Sequence, residues 1–244
     1  MKEDMIIGRN PVIEAMKAGR SIDKILVKSG EPEGSLKKIV SKAKSMRITV
    51  VETDRRKMDT LCEGENHQGV IAYVSAYEYV SPDDILDAAK EAGEAPFVVV
   101  CDKITDPHNL GAILRTARAA GVHGVIIPKH ESVSLNATVA KVAAGAAEVV
   151  PVARVTNLAA TLDYLKDNGL WITGADASGD KTLWEADLSG AVGLVVGSEG
   201  AGMSRLIKEK CDFLVGIPMK GNCESLNASV AASLMMYEVA RKRG

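Results

Sequence analysis

From residue 97 to the C-terminus, short and almost unbroken apolar runs alternate with longer stretches whose apolar positions recur every three or four residues. The runs at 97–101, 125–127, 149–152, 171–173, 194–196 and 213–217 predict strands buried on both faces, because a strand with one wet face would alternate polar and apolar residues. Between them, helical spacing covers 110–120, 137–147, 158–168, 203–211 and 226–241. Such alternation predicts an α/β fold, with a mainly parallel sheet and helices on both of its faces.

The N-terminal part follows a different plan. Asn10 and Pro11 predict an N-cap and a first helical turn, and Gly19 ends that helix. A strand at 25–27, a helix at 36–46, a strand at 48–51, a short helix capped by Asp54 and a strand at 69–74 complete a small α/β unit. A polar, proline-containing run at 77–84 then breaks the pattern, and a short helix is expected at 85–92. The predicted layout is one small domain over 1–76, a linker over 77–90 and a larger domain over 91–244, which suits a chain of 244 residues.

Composition narrows the class. Hydrophobic residues make up 46% of the chain and charged residues 25%, enough for a substantial core, yet no apolar run nears the ~20 residues of a membrane span. The N-terminus has no signal-peptide pattern, so a cytoplasmic protein is expected. Cys62, Cys101, Cys211 and Cys223 form no Cys-x-x-Cys pair and have no histidines at zinc spacing, so neither metal nor disulfide is expected. His108, His123 and His130 have no partner at useful spacing and receive no catalytic role. The net charge of −2 hides an asymmetry: residues 1–60 hold 14 Lys/Arg against 9 Asp/Glu, a net of +5, leaving −7 for the remainder. Lys37, Lys38, Lys42 and Lys44 lie opposite an apolar stripe of Leu36, Ile39, Val40, Ala43 and Met46. They read equally well as a footprint for a phosphate backbone or as the solvated face of a helix.

The chemistry concentrates in two loops. The run at 194–196 leads into Gly197, Ser198, Glu199, Gly200 and Gly202, and the run at 213–217 leads into Gly221, Ser225, Leu226 and Asn227. Loops at the carboxyl ends of strands are where open α/β sheets bind ligands, and glycines let the backbone come close to one. The glycine order is not that of a dinucleotide fingerprint, which argues against a nicotinamide-dependent oxidoreductase. Upstream, Asp106, Pro107, His108 and Asn109 precede Gly111 and Arg115 on a predicted helix. Each polar residue also has a plain structural reading. Asn109, Ser225 and Glu199 could be helix caps, and Arg115 could be a surface arginine among Ile113, Leu114 and Ala117.

These three segments, in this order and spacing, resemble the motifs of the SpoU-type (SPOUT) RNA ribose 2′-O-methyltransferases. The resemblance implies S-adenosylmethionine as cofactor, a trefoil knot in the C-terminal segment whose loops form the cofactor pocket, and a homodimer that completes the active site. Gly197, Ile217, Met219 and Leu226 match the family's adenosine-binding positions, with Thr173, Gly174 and Ala175 as a further wall. Asn109 would hold the ribose hydroxyl or the adjacent phosphate, and Ser225 and Asn227 would contact ribose or phosphate. Arg115 falls on the family's catalytic arginine; since guanidinium holds its proton far above physiological pH, a phosphate clamp is physically easier than a base. Glu199 would anchor Arg115 or a ribose hydroxyl, or take the proton. Ala228 stands where the family often has Val. The N-terminal unit resembles an L30e-like RNA-binding domain through Gly8, Arg9, Asn10 and Pro11 and through residues 66–70, which implies RNA contacts by Arg9 and Gln68. The two-domain layout is close to bacterial enzymes that methylate a guanosine ribose in large-subunit (23S) ribosomal RNA. A tRNA substrate and a non-catalytic RNA-binding or assembly factor are the alternatives.

Overall fold

A computed structural model describes residues 5–179, 181–221 and 225–244, so Cys223 lies outside the described residues. The chain forms two compact units, the first ending at Glu78 and including Leu135–Ala137, the second holding the rest.

The first unit contains β1 (Met5–Ile7), α1 (Arg9–Lys17), β2 (Ile22–Lys28), α2 (Ser35–Ser45), β3 (Thr49–Thr53), α3 (Arg55–Leu61) and β4 (Val70–Val74). Its sheet runs β1-β4-β2-β3, with β2 and β3 parallel and the other pairs antiparallel. The apolar stripe of α2 is buried through Leu36, Ile39 and Ala43, while its four lysines are exposed. Asp54 caps α3 as expected, accepting the Arg56 amide at 2.8 Å. Asn10 does not cap α1. Gly8 holds that position, and the Arg9 amide donates instead to Gln68 Oε1 at 3.1 Å.

The second unit opens with α4 (Pro82–Glu91), three residues before the expected start, because Ser81 and Asp84 form a reciprocal capping box with Pro82 in the first turn. Then come β5 (Phe97–Cys101), α5 (Pro107–Ala119), β6 (Gly124–Pro128), α6 (Ala137–Ala143), β7 (Val152–Val155), α7 (Leu158–Asp167), β8 (Trp171–Ala175), β9 (Lys181–Thr182), β10 (Val192–Val196), α8 (Arg205–Lys210), β11 (Phe213–Gly216) and α9 (Ala228–Arg243). Seven strands pair in the order β7-β6-β5-β10-β8-β11-β9, every pair parallel. Every residue of β5 and β10 is buried, which explains their unbroken apolar sequence.

One strand sits later than its sequence suggested. Val149 and Val150 follow a left-handed Gly145 and a 3-10 turn over Ala146–Glu148, and β7 begins only after Pro151. Val149 is 59% exposed, so its hydrophobicity reports no strand. The C-terminal helix is tied to the base of the sheet by Arg243, which donates to the carbonyls of Ala95, Pro96 and Gly190 at 2.8, 3.0 and 2.6 Å. Its guanidinium also lies 5.1 Å above the Phe97 ring.

Phe97 is 1% exposed and anchors this arrangement, whereas Phe213 is 42% exposed. Phe97→Ala should lower the free energy of unfolding by about 3–5 kcal/mol in urea denaturation, and Phe213→Ala by much less. Equal losses would contradict the packing described.

Candidate active site

In the large sheet the chain moves outward from β5 through β6 to β7, then crosses back to build β8, β10 and β11 on the other side. The direction of winding reverses between β5 and β10. A crevice outside the carboxyl ends of the strands at such a switch point is where doubly wound sheets bind ligands. The segment after β5 leads to Asn109, and the loop after β10 carries Glu199.

Three of the five polar residues singled out in the sequence meet there. Asn227 donates through Nδ2 to Asn109 Oδ1 at 2.9 Å and to Glu199 Oε2 at 3.0 Å. Its Oδ1 accepts from the Ser229 amide at 2.9 Å and the Ser229 hydroxyl at 2.6 Å. A backbone N–H can only donate, so the amide orientation is set by the network. Asn227 is therefore the N-cap of α9 and the hub of the cluster at once. Asn109 is not a cap: α5 begins at Pro107, Asp106 accepts the His108 amide at 2.8 Å, and Asn109 lies buried inside the first turn. Ser225 does not cap α9, nor Glu199 α8, whose cap position is Ser204. Glu199 pairs with Asn227 rather than with Arg115. Arg115 is exposed on α5 and, among the described residues, makes no hydrogen bond or ion pair.

Beside this cluster lies a cleft of about 280 Å³. Ala175, Gly197, Ile217, Met219 and Leu226, all expected around adenosine, line it, and so does Ser225. Thr173 and Gly174 do not. Thr173 is 1% exposed with its hydroxyl unpartnered, and a side chain at Gly174 would strike Met203, Cys211 and Leu214. Gly197 is demanded by backbone proximity, since a Cβ there would fall 2.1 Å from the Gly202 carbonyl carbon. Ser198 and Gly202 exchange backbone hydrogen bonds at 3.0 and 2.9 Å, pinching the loop into a compact turn. With Val, Ile, Met and Leu side chains beside glycines, hydroxyls and a charged pair, the cleft suits a flat heteroaromatic group that carries polar substituents.

Three residues that shape the loop and the cleft escaped the sequence reading. Asp102, only 4% exposed, donates its amide to the Val196 carbonyl at 2.8 Å and accepts the Ser204 amide at 2.6 Å. One residue thus grips both ends of the loop that carries Glu199. Asp176 and Lys208 form an ion pair on the wall of the cleft. Burial pushes the Asp176 carboxyl up, but hydrogen bonds from Lys208 and Ser178 outweigh it and hold the group below its usual range. None of the three has a distinguishing local spacing. Burial pushes the thiols of Cys101 and Cys211 up to about 12, so neither is a nucleophile at neutral pH. Among the described residues, no group of His, Cys, Asp or Glu is arranged to hold a metal ion.

The first unit has its own polar cleft of about 660 Å³, lined by Arg9, Lys28, Arg55, Asn66 and Gln68 among others. Arg9 Nε donates to the Gln68 carbonyl at 2.9 Å and its Nη1 to Ser35 Oγ at 3.2 Å. Both residues expected to touch RNA are thereby locked to each other. His67 is buried and structural here, accepting the Gly69 amide at 3.0 Å and pairing with Asp59.

Comparison with known proteins agrees with this geometry. The model of the SpoU rRNA Methylase family matches residues 96–237, and a model described as RNA 2′-O ribose methyltransferase substrate binding matches residues 5–80. A TrmH family tRNA/rRNA methyltransferase of Bacillus subtilis is 49% identical over 99% of this chain and 97% of its own. Among solved structures, the SpoU methyltransferase AviRb from Streptomyces viridochromogenes, in complex with AdoMet, superposes with a TM-score of 0.62. It is 26% identical and covers 98% of this chain and 89% of AviRb. The TrmH/SpoU tRNA modifying enzyme of A. aeolicus has a TM-score of 0.56 and is 31% identical over 61% of this chain and 75% of its own.

If Asp102 organises the loop, Asp102→Ala should weaken S-adenosylmethionine binding by about tenfold or more in calorimetry, through loss of a charge-assisted hydrogen bond. Asp102→Asn, which keeps an accepting oxygen, should recover most of it. Unchanged affinity in the alanine variant would show that the loop holds itself.

Proposed function

This chain belongs to the SpoU family of S-adenosylmethionine-dependent RNA methyltransferases, and from that membership we propose that it methylates a ribose 2′-hydroxyl, that of a guanosine in large-subunit (23S) ribosomal RNA. The observation that carries the reading is the meeting of Asn109, Glu199 and Asn227 at the rim of the cleft. Glu199 lies between Ser198 and Gly200, and Asn227 between Leu226 and Ala228, and all four of those neighbours line the cleft.

When bound, the cofactor supplies an electrophilic methyl group on a sulfonium. The chain must then present a poorly acidic hydroxyl in line with it and receive the proton. Asn109, with its carbonyl oxygen engaged by Asn227, keeps an amide NH₂ to donate to a ribose oxygen. Glu199 uses Oε2 toward Asn227 and offers its other oxygen to the hydroxyl as that proton turns acidic during transfer. Arg115, a cation without a protein partner among the described residues, clamps the neighbouring phosphate. Ser225 contacts the same ribose-phosphate segment.

Ribosomal rather than transfer RNA is favoured by the N-terminal unit. The tRNA-modifying A. aeolicus neighbour spans only 61% of this chain, while an rRNA methyltransferase of Sinorhizobium meliloti, 25% identical with a TM-score of 0.60, covers 97% of it. The exposed lysines of α2, with Arg9, Lys28 and Arg55 around the polar cleft, give that unit cations suited to a phosphate backbone, although Asp59 and Glu65 also line the cleft. A homodimer is part of the same proposal, and the outer face of α9 supports it. Val230 and Tyr237 are 46% and 55% exposed and, with half-buried Leu234, lie on one helical face. A second copy would cover that stripe. The C-terminal knot belongs to the same proposal, as does residence in the cytoplasm with the RNA. Among the described residues no helix is long and apolar enough to cross a membrane.

Arg115→Ala should leave S-adenosylmethionine affinity nearly intact while methyl transfer falls by about 10²–10³-fold; parallel loss of cofactor binding would remove the clamp role. Replacing Lys37, Lys38, Lys42 and Lys44 with alanine should weaken RNA binding and flatten its logarithmic salt slope by about two to three units. An unaltered slope would make that face mere solvation.

A further inference from the structure

The charges on the wall of the cleft remain unused by the chemistry above. Of the described side chains that line it, Asp176 and Lys208 alone are ionisable; the others are Gly, Ala, Val, Ile, Met, Leu and Ser. The two form an ion pair, with side chains 11% and 35% exposed. Asp176 is well satisfied, because its Oδ1 accepts both the Ser178 amide at 3.0 Å and the Ser178 hydroxyl at 2.5 Å while Oδ2 takes Lys208. An ammonium has three donors, so Lys208 keeps hydrogen-bonding capacity that Asp176 does not consume. Lys208 also stands on α8, the helix whose start is fixed by Asp102 through Ser204, so its position is tied to the loop bearing Glu199.

The ligand of this cleft has two chemically distinct halves. Its adenosyl half is matched by the apolar residues and backbone already described. Its amino-acid half carries a carboxylate, which cannot enter a partly desolvated cleft without a donor or a cation. We propose that Lys208 is the residue that recognises the α-carboxylate of the cofactor, and that Asp176 is a positioning residue that holds the Lys208 ammonium toward the cleft. This rests on the cleft being the S-adenosylmethionine site. The pair makes the protein discriminate amino-acid-bearing ligands from truncated thioethers. It does so without touching the methyl acceptor, so it acts on cofactor affinity and not on the transfer step.

The test compares three ligands by titration calorimetry on the full chain: S-adenosylmethionine, S-adenosylhomocysteine and 5′-methylthioadenosine, which lacks the amino-acid half. Lys208→Met should weaken the first two by about 10- to 100-fold, the worth of a charge-assisted hydrogen bond, while methylthioadenosine binds as to the wild type. Lys208→Arg should restore most of the difference, and Asp176→Asn should show the same pattern as Lys208→Met in weaker form. Unchanged methylthioadenosine binding also serves as the internal control for folding of the cleft. Equal loss for all three ligands would overturn the proposal in favour of a purely structural ion pair, and so would no loss for any. Wild-type protein that bound neither S-adenosylmethionine nor methylthioadenosine would overturn the cofactor site itself.

Discussion

The amide of Asn227 is the constraint on which the site depends. Its four hydrogen bonds join the loop after β10, the first turn of α5 and the start of α9, and the span from Asn227 to Asn109 is 118 residues. Nothing in this arrangement is redundant. The nitrogen donates twice and the oxygen accepts twice; an aspartate of similar size could supply only the accepting pair, and a leucine neither. A cap alone would need only the oxygen. The second pair of bonds holds Asn109 and Glu199 in fixed relation before any substrate arrives, the preorganisation that the proposed reaction needs.

A second constraint supports the first from below. Asp102 continues the β5–β10 pairing by one backbone hydrogen bond and closes the other end of the 197–204 loop with its carboxylate. Gly197 allows the loop to press against Gly202 and Met203, and left-handed Gly200 and Gly202 complete the turn. The glycines thus shape the loop, leaving the polar side chains to the ligand.

Much of this was legible in the chain. Strands buried on both faces announce themselves as apolar runs, so β5 and β10 were read almost residue for residue. The three-residue β1 and two-residue β9 are too short for any periodicity to register. At 149–152 hydrophobicity alone misled, because Pro151 and left-handed Gly145 set the geometry that Val149 and Val150 must follow. Asn109, Glu199 and Asn227 were found by motif, but their mutual contacts are tertiary and have no local signature. Asp102, Asp176 and Lys208 were missed for the same reason: an acidic residue after a strand and a lysine in a short helix look like ordinary surface until the fold sets Asp102 at the ends of the 197–204 loop and the other two on the wall of the cleft.

The central claim is that this cleft and its amide-carboxylate cluster methylate a ribose oxygen in ribosomal RNA. The most direct measurement is transfer of labelled methyl from S-adenosylmethionine to large-subunit rRNA and to tRNA, both taken from cells lacking this protein, followed by alkaline hydrolysis. A 2′-O-methyl group blocks cleavage of the adjoining phosphodiester. The account predicts label in a single alkali-resistant dinucleotide of the large-subunit rRNA, 5′-guanosine in that dinucleotide, and none in tRNA. Label released entirely in ordinary mononucleotides would mean a base methyltransferase, and would contradict the role given to Asn109, Glu199 and Asn227.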